Sequence, residues 1–462
     1  MDRTEEMRSA SLGRLLFKFS LPAIIGMLVN SLYNVIDRIF LGRGIGQLAI
    51  AATTVAFPIM TILMAVSILI GVGATALISI RLGQQRKAEA EVIAGNAVVM
   101  IILLPALCAL FFFLYTEPVL IFLGASQEVL PYARDFTEII MLGAVFGSFS
   151  MGVNNFIRAE GNPKVSMYTQ LLGAVINVIL NYLFIFEFGW GMKGSAFATI
   201  LAQFISALWV LSYFLTGRSL VKLRFSNMRL QWSVLTSIMA IGFAPFAMQI
   251  AASIQQVILN RTLMVHGGDS SLSAIGIIMS IAMLLFMPVL GVSQGEQPII
   301  GYNYGARQYD RVRGTWKLAV LAGTAIALTG YLALRIWPEQ LVGLFCKGDT
   351  ELIALTTHAM LIYMALIPLV GFQIVSSTYF QAVGKARQAA VLSLSRQILF
   401  FIPLLLILPH YWGVEGVWRA APISDFLAIC LTATFMFFEM RSLKKAELGD
   451  QIEKHKNQDD IS

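Results

Sequence analysis

Asn30, Tyr33 and Asp37 follow one another at spacings of three and four, so on a helix they share one face. The residues around them are apolar. A polar face in such a setting must meet protein or water, because an amide or a carboxylate in hydrocarbon is costly unless partnered or wet. Further along the chain, Asn177 and Asn181 lie four apart on one face of a second helix, and Thr199 falls on the next one. With Asp37 they could supply a carboxylate, two amide oxygens and a hydroxyl, a hard-ligand set for one small cation such as Na⁺. Asp37 could instead bind a proton, and the asparagines could equally be hydrogen-bond glue between helices.

A shift of 223 positions carries the first stripe onto Ser253, Gln256 and Asn260, with Gln249 extending it. Asp37 then has only Asn260 as its counterpart, which points to work done by one copy alone. Arg38 recurs as Arg261, which favours anchoring near an interface. The second half has its own charges in apolar surroundings. Glu296 sits in a Gly- and Pro-interrupted segment that could line a substrate cavity, or it could equally be a structural partner within the protein. Arg396 and Asp425 could pair with each other. Met60, Met64, Met279, Met283 and Met287 offer either a pliable binding surface or plain packing.

The elements that carry these residues follow from composition. Of 462 residues 57% are hydrophobic and only 13% charged, against about 25% charged in a soluble globular protein. A soluble enzyme, a nucleic-acid-binding module and a disordered scaffold are excluded, and the net charge of +7 lies mostly between apolar runs. A helix needs about 20 apolar residues to cross the bilayer core. Runs of that kind predict an all-α polytopic membrane protein with twelve transmembrane helices, at about 17–41, 48–80, 92–115, 132–157, 165–187, 194–216, 234–264, 273–303, 316–338, 352–382, 388–408 and 416–440. The second, seventh, eighth and tenth are long enough that they must tilt, bend or protrude.

Lys and Arg gather in the amino-terminal tail, after even-numbered helices and in the carboxyl tail, with Arg81, Arg86, Lys87, Arg218, Lys222, Arg307, Arg311 and Lys444 among them. The loops of the other side hold Arg43, Arg134, Lys193 and Lys347. This asymmetry predicts that both termini are cytoplasmic. The amino-terminal residues lack the pattern of a removable signal, so the first helix is expected to be retained. Cys108, Cys346 and Cys430 are too scattered for a disulfide framework or a metal cluster. The charged stretch from Lys444 to Ser462 reads as disordered.

The halves match. Pro22 and Pro245, Arg38 and Arg261, and Gly161 and Gly384 are 223 apart; Trp190-Gly191 and Trp412-Gly413, and Gly83 and Gly305, are 222 apart. Six helices per copy make the repeat parallel, about an axis along the membrane normal. The expected organisation is an amino lobe over 1–216, an inter-lobe linker over 217–233, a carboxy lobe over 234–440 and a charged cytoplasmic tail over 441–462. Two matching lobes suit alternating access. No Gly-x-x-x-x-Gly-Lys-Ser/Thr loop occurs, so ATP does not drive the chain directly. The absence of His-Glu-x-x-His and Gly-x-Ser-x-Gly argues against an enzyme.

Several runs, in order along about 15–440, resemble the multidrug and toxic compound extrusion (MATE) transporters, especially the bacterial MepA-like branch. They are Leu21-Pro-Ala, Asn34-Val-Ile-Asp-Arg-Ile-Phe-Leu-Gly42, Arg158-Ala-Glu-Gly-Asn-Pro163, Gly295-Glu-Gln-Pro-Ile-Ile-Gly-Tyr-Asn-Tyr-Gly305 and Phe380-Gln-Ala-Val-Gly384. The resemblance implies two six-helix lobes and export of small organic compounds from the cytoplasm across the bacterial cytoplasmic membrane, in exchange for inward Na⁺ or H⁺, with no further cofactor. It assigns Asp37 as the helix 1 carboxylate, Pro22 as the bending and gating proline, and Asn177 and Thr199 as cation-site positions. Asn181 stands where many relatives carry a second carboxylate. Asn30, Tyr33, Gln249, Gln256, Asn260 and Glu296 are the expected substrate-cavity residues. A major facilitator is set aside because Arg81-Leu-Gly-Gln-Gln-Arg-Lys87 lacks that superfamily's loop aspartate. The remaining transport alternative is a lipid or lipid-linked oligosaccharide flippase, expected to carry a more basic cleft; a membrane receptor or scaffold fits the polar stripes less well.

Overall fold

A computed structural model describes residues 3–345 and 350–459. Cys346 and Lys347 lie outside the described residues, as do Asp460 to Ser462. Every long apolar run is helical, since a backbone in hydrocarbon must satisfy its own hydrogen bonds. The spans are α1 (Leu12–Gly44), α2 (Gln47–Gly83), α3 (Lys87–Leu114), α4 (Leu130–Ala159), α5 (Pro163–Tyr182) and α6 (Gly191–Leu215). The long helix Trp232–Gly305 breaks at Gly268, whose φ of 64° and ψ of −165° are non-helical, giving α7 (232–267) and α8 (269–305). Then come α9 (Tyr309–Ile336), α10 (Thr350–Tyr363 and Ile367–Ala382, bent by 50°), α11 (Ala386–Trp412) and α12 (Val414–Asp459). Side chains such as Phe17, Leu107, Leu215, Leu321 and Phe438 are mostly exposed on these helices, as lipid-facing residues must be.

The duplication extends to the backbone. Gln85 and Arg307, the two non-glycine residues with positive φ (60° and 57°) among the described residues, are 222 positions apart. Gly46 and Gly268, and Gly191 and Gly413, repeat their positive φ at the same interval. The short helices Thr116–Phe122 and Pro338–Gly343 start 222 apart too.

The described chain forms two compact units. One comprises Met1–Glu6 and Ile25–Phe246, the other Met7–Ile24 and Ala247–Ser462. These units do not follow the sequence division at 217–233. The first half of α1 belongs with the carboxy-terminal unit, and the first half of α7 with the amino-terminal one. Glycine seams seat both segments. In the amino-terminal unit a Cβ at Gly73 would collide with the Ile238 carbonyl, and one at Gly242 with that of Leu69; in the carboxy-terminal unit Gly291 meets Ile24 and Gly295 meets Ser20. Pro22 and Pro245 stand within two residues of where α1 and α7 change unit. Each proline withholds an N–H from the carbonyl four residues earlier and so allows a bend. Pro22→Ala should straighten α1 and slow turnover several-fold while changing the melting temperature little. Normal turnover with a straightened α1 would remove proline from the gating mechanism.

The linker is not a free tether. Glu160, just beyond α4, accepts hydrogen bonds at Oε2 from Ser219 Oγ (2.8 Å), Leu220 N (2.7 Å) and Val221 N (3.1 Å). Asn96 donates to the Asn227 carbonyl and accepts from Gln231 N. Burial pushes the Glu160 carboxyl above its ordinary value, opposed by hydrogen bonds from Tyr213, Ser219 and the backbone of Val221 and Leu220. Glu160→Ala would strand buried donors, at a cost of about 3 kcal/mol, and should lower the melting temperature by several degrees. Because the folded state holds the Glu160 proton more tightly than the unfolded chain, the Glu160 contribution to stability falls as pH rises from the ordinary glutamate range towards the raised value. Glu160→Gln should remove that slope in melting experiments run across pH.

The carboxyl tail departs from the expectation of disorder: α12 stays helical through Asp459. Mixed-sign charges suit a helix, and Glu447 is held by Arg313 of α9.

Candidate functional site

Asp37 stands between two glycines of α1 that bring this half of the helix close to its neighbours. A Cβ at Gly26 would collide with the Gln170 side chain on α5, and one at Gly44 with Ile185. Phe40 closes the contact, edge-on to Phe186 at 5.5 Å and to Tyr182 at 6.4 Å. Directly after α5, Leu183–Glu187 widens into a π turn. Gly194 of α6 packs against Phe184 in that turn. Three helices are thereby held within side-chain reach of Asp37.

The four expected cation-site residues meet in one hydrogen-bonded chain inside the amino-terminal unit. Asn181 Nδ2 donates to Asp37 Oδ1 at 2.8 Å and to Asn177 Oδ1 at 2.8 Å. Asn177 Nδ2 donates to Thr199 Oγ1 at 3.3 Å, and Thr199 Oγ1 donates to the Ser195 carbonyl at 3.0 Å. Asn177 and Asn181 are buried, and Asn181 Oδ1 has no hydrogen-bond partner among the described residues. The Asn181 amino group therefore sits between two oxygens, as a small cation would. Rotation of that amide would turn its unpartnered oxygen toward the same place, so the donor set fits a hard monovalent ion as well as a proton on Asp37. Sequence reasoning missed Ser195, whose side chain lies beside Asp37. Its signal was present: Ser195 precedes Thr199 by four residues and shares its face.

The expected substrate residues fall in both units. Asn30 is exposed on α1 and accepts from Asn34 Nδ2; Tyr33 is half-buried one turn further on. In the carboxy-terminal unit, Gln256 Nε2 donates to Asn260 Oδ1 at 2.8 Å, and the Gln249 carbonyl accepts from Ser253. Glu296 does not line an open cavity. It is fully buried, and neither carboxylate oxygen has a hydrogen-bond partner among the described residues. The glycines that suggested a cavity, Gly291 and Gly295, instead form the close seam with Ile24 and Ser20. Arg396 and Asp425 do pair, Nε to Oδ1 at 2.6 Å, where α11 widens into the π segment Ser395–Phe401.

Twelve spans in a parallel duplication, with a carboxylate, two amides and a hydroxyl linked across three helices of one copy, define a secondary transporter of the membrane rather than an enzyme. The MatE family profile matches residues 22–183 and 233–407, and the chain belongs to that family, whose activity is multidrug export by cation-coupled antiport. The multidrug export protein MepA of Staphylococcus aureus is 26% identical over 435 residues, 94% of this chain and 95% of that protein. That of Staphylococcus saprophyticus is 25% identical over 434 residues, 93% and 95% of the two chains. Among solved structures, the MATE multidrug transporter DinF-BH, determined as a complex, shares 40% identity with a TM-score of 0.85 over 92% of this chain and 95% of that one. An outward-facing multidrug resistance MATE family transporter has the same fold, with a TM-score of 0.90 at 23% identity over 96% and 99% of the chains.

Proposed function

We propose that this chain exports organic, amphipathic and often cationic small molecules from a bacterial cytoplasm in exchange for one inward Na⁺ or H⁺, by alternating access of two lobes. Both termini face the cytoplasm in this reading. The coupling ion is taken at Asp37, Asn177, Asn181 and Thr199, and substrate contacts come from Asn30 and Tyr33 on α1 and Gln249, Gln256 and Asn260 on α7. The observation that carries the proposal is the Asn181 amino group held at 2.8 Å from both the Asp37 and the Asn177 oxygens. A lone carboxylate tied to amides from another helix can exchange that amino group for an ion, and the exchange shifts α1 against α5.

Dye efflux from proteoliposomes, driven separately by an inward Na⁺ gradient and an inward pH gradient, tests this. Efflux accelerated by one of the two gradients supports it; efflux indifferent to both overturns it.

A further inference from the structure

In the carboxy-terminal unit, at the amino-terminal end of α9 and beside the basic stretch 441–445 of α12, a cavity of about 480 Å³ opens between these helices and α10. Arg313 and Lys317 line it from α9, and Arg441 and Lys444 from α12. Arg313 and Lys317, four apart, share one face of α9, and Arg441 and Lys444, three apart, share one face of α12, so both helices turn cations toward the groove. Arg313 is already neutralised, by Asp310 at 2.6 Å and by Glu447. Glu447 also lies near Lys444. Lys317, Arg441 and Lys444 make no ion pair among the described residues, so the groove retains excess positive charge. The deeper wall is apolar, formed in part by Trp316, Phe372 and Met440. Trp316 Nε1 donates to Ser376 Oγ at 3.1 Å, which fixes the indole against α10. At the mouth the Arg441 guanidinium lies 4.1 Å from the centre of the Phe437 ring, and Phe437 is itself half exposed.

We propose that this groove is a binding site for an anionic phospholipid, with the phosphate held by Lys317, Arg441 and Lys444 and the glycerol and upper acyl segments lying against Trp316, Phe372 and Met440. Unpaired cations above an aromatic and thioether floor, at the edge of a membrane-spanning unit, match both parts of such a molecule. Inorganic phosphate would use the cations but leave the apolar wall uncovered. A neutral lipid would cover the wall and leave the cations unmatched.

The test is native mass spectrometry of the purified full-length transporter titrated with phosphatidylglycerol, phosphatidylcholine or inorganic phosphate. The expected result is preferential retention of phosphatidylglycerol, weakened roughly fivefold for each of Lys317→Gln, Arg441→Gln and Lys444→Gln, at about 1 kcal/mol per cation. Met440→Trp, which fills the groove and leaves every charge in place, should abolish the preference. Lys317→Arg with Lys444→Arg should keep it, which separates loss of the site from loss of folding. Equal binding of the two lipids, a preference that survives Met440→Trp, or inorganic phosphate binding as tightly as phosphatidylglycerol would overturn the proposal.

Discussion

Asp37→Asn should give a transporter that inserts and folds normally yet loses gradient-driven export by about 100-fold or more, a barrier change of roughly 3 kcal/mol. The substitution is nearly isosteric. Its side-chain carbonyl can still accept from Asn181 Nδ2, the bond that measures 2.8 Å to the native carboxylate. What disappears is the negative charge. A neutral site can carry no proton, and a bound Na⁺ would be left uncompensated in low dielectric. Either way the ion gradient can no longer be read. The contrast to measure is therefore between two assays on the same proteoliposomes: gradient-driven dye efflux, which should collapse, and substrate counterflow, which should stay within about threefold because it needs no net ion movement. Export at the wild-type rate under a gradient would remove Asp37 from coupling.

The reasons that some of this was legible in the sequence, and some not, are physical. Bilayer thickness dictates the length of an apolar run, so the twelve spans fall within a few residues of expectation at most ends. The bend of α10 between Tyr363 and Ile367 leaves no gap in apolar character, and hydropathy passes over it. The basic stretch 217–233 is legible as an inter-lobe linker, but what holds it in place is not. Its anchoring depends on Glu160 and Asn96, and Glu160 meets Ser219 across 59 residues, a pairing that no local pattern records.

At the candidate site, spacing alone placed Asn177 and Asn181 on one face, and the structure finds them hydrogen-bonded. Spacing could not bring Asp37 to Asn181, 144 positions away; the chemistry of a shared donor set suggested that meeting, and the family resemblance agreed with it. Glu296 shows the opposite failure. Glycines beside a charge suit a cavity and a helix seam equally well, and only packing tells them apart.

The charge count of the amino-terminal site leads to the second large effect, at Asn181. With Asp37 ionised the set carries a charge of −1, and one monovalent cation brings it to zero. A second would leave a net positive charge in a poorly solvated place, so wild type should move one coupling ion per cycle through this site. Asn181→Asp puts a second carboxyl where the amide now donates to Asp37 Oδ1. Two carboxylates within hydrogen-bond distance cannot both stay ionised without a cation between them. They titrate as a pair, in two macroscopic steps in place of one. The variant should therefore take up one more positive charge than wild type, and its transport should follow a different, broader pH profile, with a several-fold change in rate at the wild-type optimum. Ion-to-substrate stoichiometry from reversal potentials, together with cation-dependent efflux across pH, measures both effects. A wild-type stoichiometry of two at this site, or the same pH profile in wild type and Asn181→Asp, would place Asn181 outside the coupling machinery and leave its bond to Asp37 a purely structural one.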